Sequence, residues 1–387
     1  MVNMNTHSTT RFDVALLGGG LQNALVALCL LERRPRARIV MVEREARIGG
    51  NHTWSFHAGD VPEEARPLIG PLVTSQWSCY DVAFPGSGRT IVEPYASITS
   101  ERLASVVEER FGAAPGAALF CGTEGEPVDA STVRLADGRT LQAGLIVDAR
   151  GPDRAVFDRA GYQKFVGLEL ALEKPHPRRH PMLMDARVPQ EDGFRFFYVL
   201  PLGERRVLVE DTYFSDRRDL DLPTLRRGIL SYTASEGYVV ADIVREEVGV
   251  LPLPARCSPP PKGGSPLLAG YGGGFFHPAT GYSFPVALRL ARHIANAADG
   301  DIFGPEWRRL VDEHRSQFRF ATLLNRMLFG AFLPETRWGA LSRFYRLPQE
   351  TIRRFYSLET TPGDRLRLLC GRPPRGISIR AAIGATT

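Results

Sequence analysis

Arg11–Ala24 reads RFDVALLGGGLQNA, and this stretch decides the fold. The run Arg11–Leu17 is short, apolar and stopped by glycines, so it predicts a buried parallel strand. Leu21–Arg33 carries Leu, Ala and Val at most positions and predicts a helix, and Arg38–Glu43 (RIVMVE) predicts a second strand. Strand, glycine turn, helix and strand make a βαβ unit of about 30 residues. Gly18-Gly19-Gly20-Leu21-Gln22-Asn23 fits the G-x-G-x-x-G pattern except that Asn23, followed by Ala24, takes the last position. Gly18 lets the chain turn sharply off the strand. Gly20 has no side chain, so a pyrophosphate can approach the backbone at the helix N-terminus. Glu43 closes the second strand 23 residues after Gly20, where an acid can accept bonds from ribose hydroxyls. Arg44 follows, placed either to cover an adenine face or to sit in solvent. The plainer alternative is a tight turn in an α/β protein that holds no ligand.

Working outward, Gly49-Gly50 soon after the acid favours FAD over NAD. Leu145–Gly151 (LIVDARG) is similar to the flavoprotein strand beneath the adenine end. Gly270-Tyr271-Gly272-Gly273-Gly274 leads to His277–Ser283, and a helix starting near Thr280–Gly281 would aim its positive end at an anionic flavin ring. Tyr271 stands where many flavoproteins carry an aspartate. Further helices are predicted over Ile98–Gly112, Pro223–Glu236, Thr280–Ala297 and most of Trp307–Leu358, and strands over Phe194–Pro201 and Arg205–Thr212.

The fold class expected is α/β. A Rossmann-type FAD-binding domain (glutathione-reductase/hydroxylase-like) is joined to a second α+β substrate domain and a helical C-terminal region. The expected division gives the FAD-binding domain residues 11–70, 98–170 and 263–300. The substrate domain takes 71–97 and 171–262, and a C-terminal cap takes 301–375. The low-complexity loop Cys257–Ser265 reconnects the two domains.

Composition narrows the function. The five cysteines (Cys29, Cys79, Cys121, Cys257, Cys370) show no metal-ligand or disulfide spacing, so no metal site is expected and a reducing cytoplasm fits. The first ten residues are polar and read as no signal peptide, and no apolar stretch is long enough to span a bilayer. From Arg315 onward thirteen arginines face four acids, against a net charge of +5 for the whole chain. Such a block suggests an anionic partner. No helix-turn-helix or RNA-binding signature accompanies it, so nucleic acid is not expected. Phe318, Phe320, Phe329, Phe332, Trp338, Phe344, Tyr345, Phe355 and Tyr356 are interleaved with these arginines. They form either an interfacial membrane surface or a helical cap with its aromatics inward.

Gly49–Phe56 (GGNHTWSF), Leu208–Thr212 (LVEDT), Phe276–Ser283 (FHPATGYS), Leu324–Phe329 (LNRMLF) and Arg343–Pro348 (RFYRLP) together resemble the bacterial lycopene β-cyclases of carotenoid synthesis. The resemblance runs from about Phe12 to about Pro374. GGNHTWSF and FHPATGYS, in this order, are far more selective than the glycine turn, and Asn23 suits this family.

The resemblance implies conversion of lycopene to β-carotene via γ-carotene, with FAD in its reduced form and NAD(P)H as reductant. No net electrons move. A buried carboxylic acid kept neutral protonates the terminal alkene, and the tertiary cation then needs a dry site with a nearby anion or π-face. Glu210 in LVEDT matches the family's acidic motif and is the expected acid and base. Asp211 is its neighbour; successive strand side chains face opposite ways, so one of the two lines the cavity and the other is structural. His277 either contacts flavin or cation, or is a structural hydrogen-bonder. Trp54 and Phe56 either line the pocket or belong to the core. Gly18, Gly20, Asn23, Ala24, Glu43, Arg44, Gly49, Asn51, Thr280 and Gly281 are the expected cofactor contacts. The hydrocarbon substrate and its carotenoid intermediates imply a cytoplasmic protein resting peripherally on the inner membrane, in reach of other carotenoid-pathway enzymes. The competing class is a flavin-dependent monooxygenase or prenyl reductase acting on an apolar substrate. A non-catalytic carotenoid carrier is the other alternative.

Overall fold

The computed structural model describes residues 11–151, 158–257, 263–297 and 301–370. The expected reconnecting loop lies mostly outside them, as do Arg372, Arg375 and Arg380.

The strand Arg11–Leu17 and the helix Leu21–Arg33 form as the pattern predicts. The first sheet runs in the order Ala117–Cys121, Ile39–Glu43, Arg11–Leu17, Thr140–Asp148, then Thr132–Leu135 and Gly125–Pro127. The first four strands are parallel, and the short strand Leu267–Leu268 joins Thr140–Asp148 in the same direction. Eleven of the thirteen residues of Leu21–Arg33 are buried, because Ser100–Ala113 and Phe284–Asn296 pack against it. That explains why its sequence is apolar all round rather than along one stripe. Gln22 Nε2 donates to the Ala287 carbonyl at 3.1 Å, tying the first segment of this lobe to its last.

The second sheet runs Val240–Pro254, Arg159–Leu172, Arg206–Ser215, Phe194–Gly203, Met182–Asp185, Tyr80–Phe84, Ser87–Ile91. It corrects the expected division in one place. Arg159–Leu172 pairs here along its whole length, so the FAD-binding segment drawn as 98–170 overruns into the substrate sheet. A second correction concerns Ser75–Trp77 and Tyr95–Thr99, which join Thr53–His57 in a small third sheet, so that of segment 71–97 only Tyr80–Phe84 and Ser87–Ile91 enter the second sheet. The strands of the second sheet do not alternate cleanly in sequence because both faces are covered. The helix Leu222–Ser235 packs on one face, and the C-terminal helices on the other.

Those C-terminal helices span Pro305–Ala331, Trp338–Phe344, Gln349–Tyr356 and Pro362–Leu369. Their aromatics turn inward. Phe318, Phe320, Phe332, Phe344, Tyr345, Phe355 and Tyr356 are all buried, which overturns an aromatic membrane surface. Several arginines are structural as well. Arg337 is buried, bonds both Asp216 oxygens at 2.8 and 2.9 Å and stacks over Phe329, while Arg354 pairs with Asp364 at 2.7 Å. The large apolar groups that this cap leaves exposed are Leu333, Leu366 and Leu369. Among the described residues no helix is long and apolar enough to cross a membrane.

Candidate active site

The glycine turn is built for an anion. Gly18 adopts φ +91°, and a Cβ there would press to 3.1 Å from the Ala149 carbonyl oxygen. Gly20 is the N-terminal flank of Leu21–Arg33, and a Cβ there would meet nothing within 4 Å. The helix has no acid in its first turn, so its positive end faces open space. Glu43 accepts from the Gly19 N–H at 2.6 Å and the Glu45 N–H at 2.9 Å, which holds the acid at the mouth of the turn. A dinucleotide's pyrophosphate fits this cradle.

Other expected contacts act from behind or elsewhere. Asn23 is fully buried; its Nδ2 donates to the Leu17 and Gly18 carbonyls at 2.8 and 2.9 Å, bracing the turn from inside. Ala24 is fully buried under the turn. Neither has a surface to offer a ligand, which corrects their assignment as contacts. Arg44 is exposed beside Glu45 at 3.2 Å. Gly49 adopts φ +91°, packs its Cα against the Ser100 carbonyl and donates to the Gly19 carbonyl at 2.9 Å, so it supports the turn. Asn51 points to the second sheet: Nδ2 donates to the Glu246 carbonyl at 2.7 Å and Oδ1 accepts from Arg245 at 3.1 Å. The helix expected from Thr280 begins at Phe284. Thr280 and Gly281 lie in the preceding loop, where Tyr271 donates to the Gly281 carbonyl at 2.5 Å and laces the two loop arms together. Phe56 stacks on Phe284 with ring centroids 4.1 Å apart and belongs to the core; Trp54 is partly buried against it.

Glu210 and Asp211 separate as strand geometry requires. Asp211 is fully buried and takes both Arg195 nitrogens at 2.9 and 2.7 Å, beneath the helix Leu222–Ser235. That pairing corrects its assignment as a catalytic residue. Glu210 lies on the opposite face with Leu208 and Phe214, towards the C-terminal helices. It sits deep in the protein yet keeps part of its surface accessible, and among the described residues it has no hydrogen-bond or ion-pair partner. Its carboxyl is pushed well above the usual carboxylate range, first by burial and then by the nearby Glu247 carboxylate, with Arg245 opposing.

Glu210 is surrounded by residues that no motif announced. Its cross-strand neighbours are Tyr198 and Gly167. The Tyr198 hydroxyl donates to Ser55 at 2.8 Å and lies 3.2 Å from the Tyr95 hydroxyl, so these polar groups satisfy one another. A cavity of about 500 Å³, lined by Phe56, Trp77 and Tyr95 among others, reaches this cluster from one side. An apolar cleft of about 180 Å³ between Leu324, Leu328, Phe344 and Leu368 reaches Ala279 in the loop before Phe284 from the cap side.

His277 is also corrected. Its Nδ1 accepts from the Ala279 N–H at 3.1 Å, so the proton sits on Nε2, which donates to the Phe355 carbonyl at 2.9 Å. Both nitrogens are spent, the ring is fully buried, and burial lowers its pKa to about 3. It braces the loop on the cap. His314, bonded to the Gly274 carbonyl at 2.8 Å, is lowered to about 4, again by burial. Both rings stay neutral in the folded protein but gain a proton on unfolding below about pH 6.5. Stability is therefore lost as pH falls from about 6.5, by roughly 2 kcal/mol per histidine at pH 5. Urea midpoints at pH 7 and pH 5 measure this, and His314→Gln is expected to shrink the difference.

Among the described residues no cluster of His, Cys, Asp and Glu could hold a metal ion. The lycopene cyclase family model, described as lycopene cyclase protein, matches residues 13–382. The chain belongs to the lycopene cyclase family. A lycopene β-cyclase of Pantoea ananas is 38% identical across 97% of both chains, and one of Pseudescherichia vulneris is 38% identical over 96% of this chain and 97% of its own. In fold, the chain matches a p-nitrophenol 4-monooxygenase of Pseudomonas putida with a TM-score of 0.64 at 16% identity, covering 91% of this chain and 99% of that one. In this lycopene cyclase family member the two adjacent acids are expected to respond differently to substitution. Asp211→Ala strands Arg195 in the interior and is expected to cost about 3–5 kcal/mol of stability, read as a fall in the urea midpoint.

Proposed function

We propose that the chain closes both ends of lycopene to give β-carotene via γ-carotene, with Glu210 as acid and base. The observation that carries this reading is a buried carboxyl without a partner among the described residues, pushed well above the usual carboxylate range by burial, on the face of the substrate sheet that looks toward the cap. Glu210 gives its proton to C2 of the terminal C1=C2 alkene, leaving a tertiary cation at C1. The C5=C6 alkene closes on C1, which moves the cation to C5, and the Glu210 carboxylate removes the C6 proton. The proton gained and the proton lost balance, so no reductant is consumed. The Tyr95 and Tyr198 rings offer π-faces beside the acid, and their hydroxyls are committed to each other and to Ser55. A cation formed here meets no free hydroxyl from these groups to trap it.

FAD is the cofactor we assign to the glycine turn, with its pyrophosphate on the N-terminus of Leu21–Arg33 and its ribose on Glu43. Bound there in its reduced anionic form, made at the expense of NAD(P)H, it would supply negative charge to offset the cation. The substrate is insoluble in water, and Leu333, Leu366 and Leu369 beside the cap arginines support peripheral docking on the cytoplasmic face of an anionic membrane, near other carotenoid-pathway enzymes.

Expression in cells that accumulate lycopene tests the reading. β-Carotene in the extract, and conversion in lycopene liposomes that requires reduced FAD without consuming it, are expected. Persistent lycopene, or NAD(P)H consumed in step with product, would return the protein to the monooxygenase and prenyl-reductase class that shares the fold.

A further inference from the structure

Gly167 occupies the register position between two acids on one face of the second sheet. It is the Cα partner of Glu210 on one side and of Glu247 on the other. Adjacent strands lie about 5 Å apart, so the two acids stand on backbones roughly 10 Å apart with no side chain between them. Glu210 leans into that gap: a Cβ on Gly167 would lie 2.8 Å from Glu210 Cγ.

Glu247 is held as firmly as Glu210 is left free. It is buried, accepts from the Thr53 N–H at 2.9 Å and the Thr53 hydroxyl at 2.6 Å, and pairs with Arg245 at 2.7 Å. Arg245 is in turn shared with Glu169 at 3.0 Å, with Asn51 and with the Thr53 hydroxyl. Thr53 and Arg245 together place three donors on the Glu247 carboxylate, while none reaches Glu210 among the described residues. The charged or titratable groups around Glu210 are then Glu247 and Arg245 from Val240–Pro254, Glu169 from its neighbouring strand, Tyr198 from the other side and Tyr95 from the small sheet, with His52 beside Glu247 and Arg245.

We infer that Glu247 is a positioning residue for the reaction: a carboxylate anchored by Thr53 and Arg245 across the Gly167 gap, facing Glu210 so that the acid holds its proton until it meets an alkene. The inference rests on Glu210 being the acid, and it gives Thr53 of the GGNHTWSF string a task that cofactor binding does not supply. Like charges that face each other through a low-dielectric gap do not both ionise readily, and the acid with fewer donors keeps its proton.

Infrared titration of the FAD-loaded protein tests this without relying on turnover. The carbonyl stretch of a protonated carboxylic acid, assigned to Glu210 by its loss in Glu210→Gln, is followed against pH. In Glu247→Gln its midpoint is expected to fall by a pH unit or more, and the alkaline limb of the cyclisation rate to move down with it, so that activity lost at pH 8 returns on acidification. Thr53→Val removes one donor from Glu247 and is expected to shift the midpoint the same way by less, which serves if Glu247→Gln fails to fold. An unchanged midpoint in a variant that folds would overturn the inference, even with activity lowered at every pH. Turnover by the wild-type protein is scored separately. If it leaves lycopene unchanged, the substrate reading fails while the infrared midpoints still decide the role of Glu247.

Discussion

Glu210→Gln is expected to leave lycopene uncyclised while making the protein more stable. The amide keeps the shape of the side chain but has no acidic proton to give, so the rate should drop by about 10²–10⁴-fold, the usual share of a general acid. The stability change follows from the sign of the pKa shift. The folded state raises the pKa of Glu210, whereas the unfolded chain titrates it near 4.3. Folding is therefore penalised above that pH, and the penalty grows until the folded pKa is reached. Replacement by Gln removes the penalty. Thermal unfolding at pH 7 should show a higher Tm for the variant, by roughly 1–2 °C per kcal/mol gained in a chain of this length, and the gap should close near pH 3, where the acid is protonated in both states. Pigment extraction and two melting curves are enough. Normal cyclisation by the variant would move the acid elsewhere; lost activity with a lowered Tm would make Glu210 a structural residue.

The second large effect concerns the glycine turn. Gly20→Asp is expected to abolish FAD binding without unfolding the chain. The position is open, its φ of −78° suits any residue, and an aspartate ahead of Leu21–Arg33 can accept from the first helical N–H groups. The same carboxylate faces the pyrophosphate. Two unit charges about 4 Å apart at an effective dielectric near 20 repel by roughly 4 kcal/mol, about a thousandfold in Kd. Flavin absorbance after gel filtration and the melting curve of the apoprotein are the two readouts, and retention of FAD would remove the turn as its phosphate site. Gly19→Ala is the contrasting control. A Cβ there would lie 2.5 Å from Ile48 Cγ2, so it perturbs packing first.

Legibility in the sequence tracked the distance over which partners are recruited. Arg11–Glu43 was readable because its strand, turn and helix are local and its glycines answer to a local need. Glu210 was reached through the LVEDT string and the strand rule that sends Asp211 the other way. The partners that define each neighbour were not readable. Arg195 claims Asp211, and the Phe355 carbonyl claims His277 from 78 residues away. Both residues looked reactive until those contacts appeared. Asn23 was misread as a contact because its motif position normally serves packing, and packing is what it does. The strand Val240–Pro254 went unnoticed because Asp242, Arg245, Glu246 and Glu247 break its apolar pattern, and Glu247 with it. Its relation to Glu210 passes through the register of three strands drawn from distant parts of the chain. A glycine inside an otherwise bulky run, at Gly167, was the one local sign that something approaches closely there.

The contacts of Asn51 and Thr53 with Glu246, Glu247 and Arg245 bear on how such proteins can be recombined. A chimera that exchanges the substrate sheet between two cyclases, leaving each cofactor lobe in place, cuts through this joint. Parental sequences that differ at either side would leave a carboxylate without its donors beside the acid. Segments 49–55 and 240–254, nearly two hundred positions apart, behave as one heritable block, and crossover points are better chosen to keep them together.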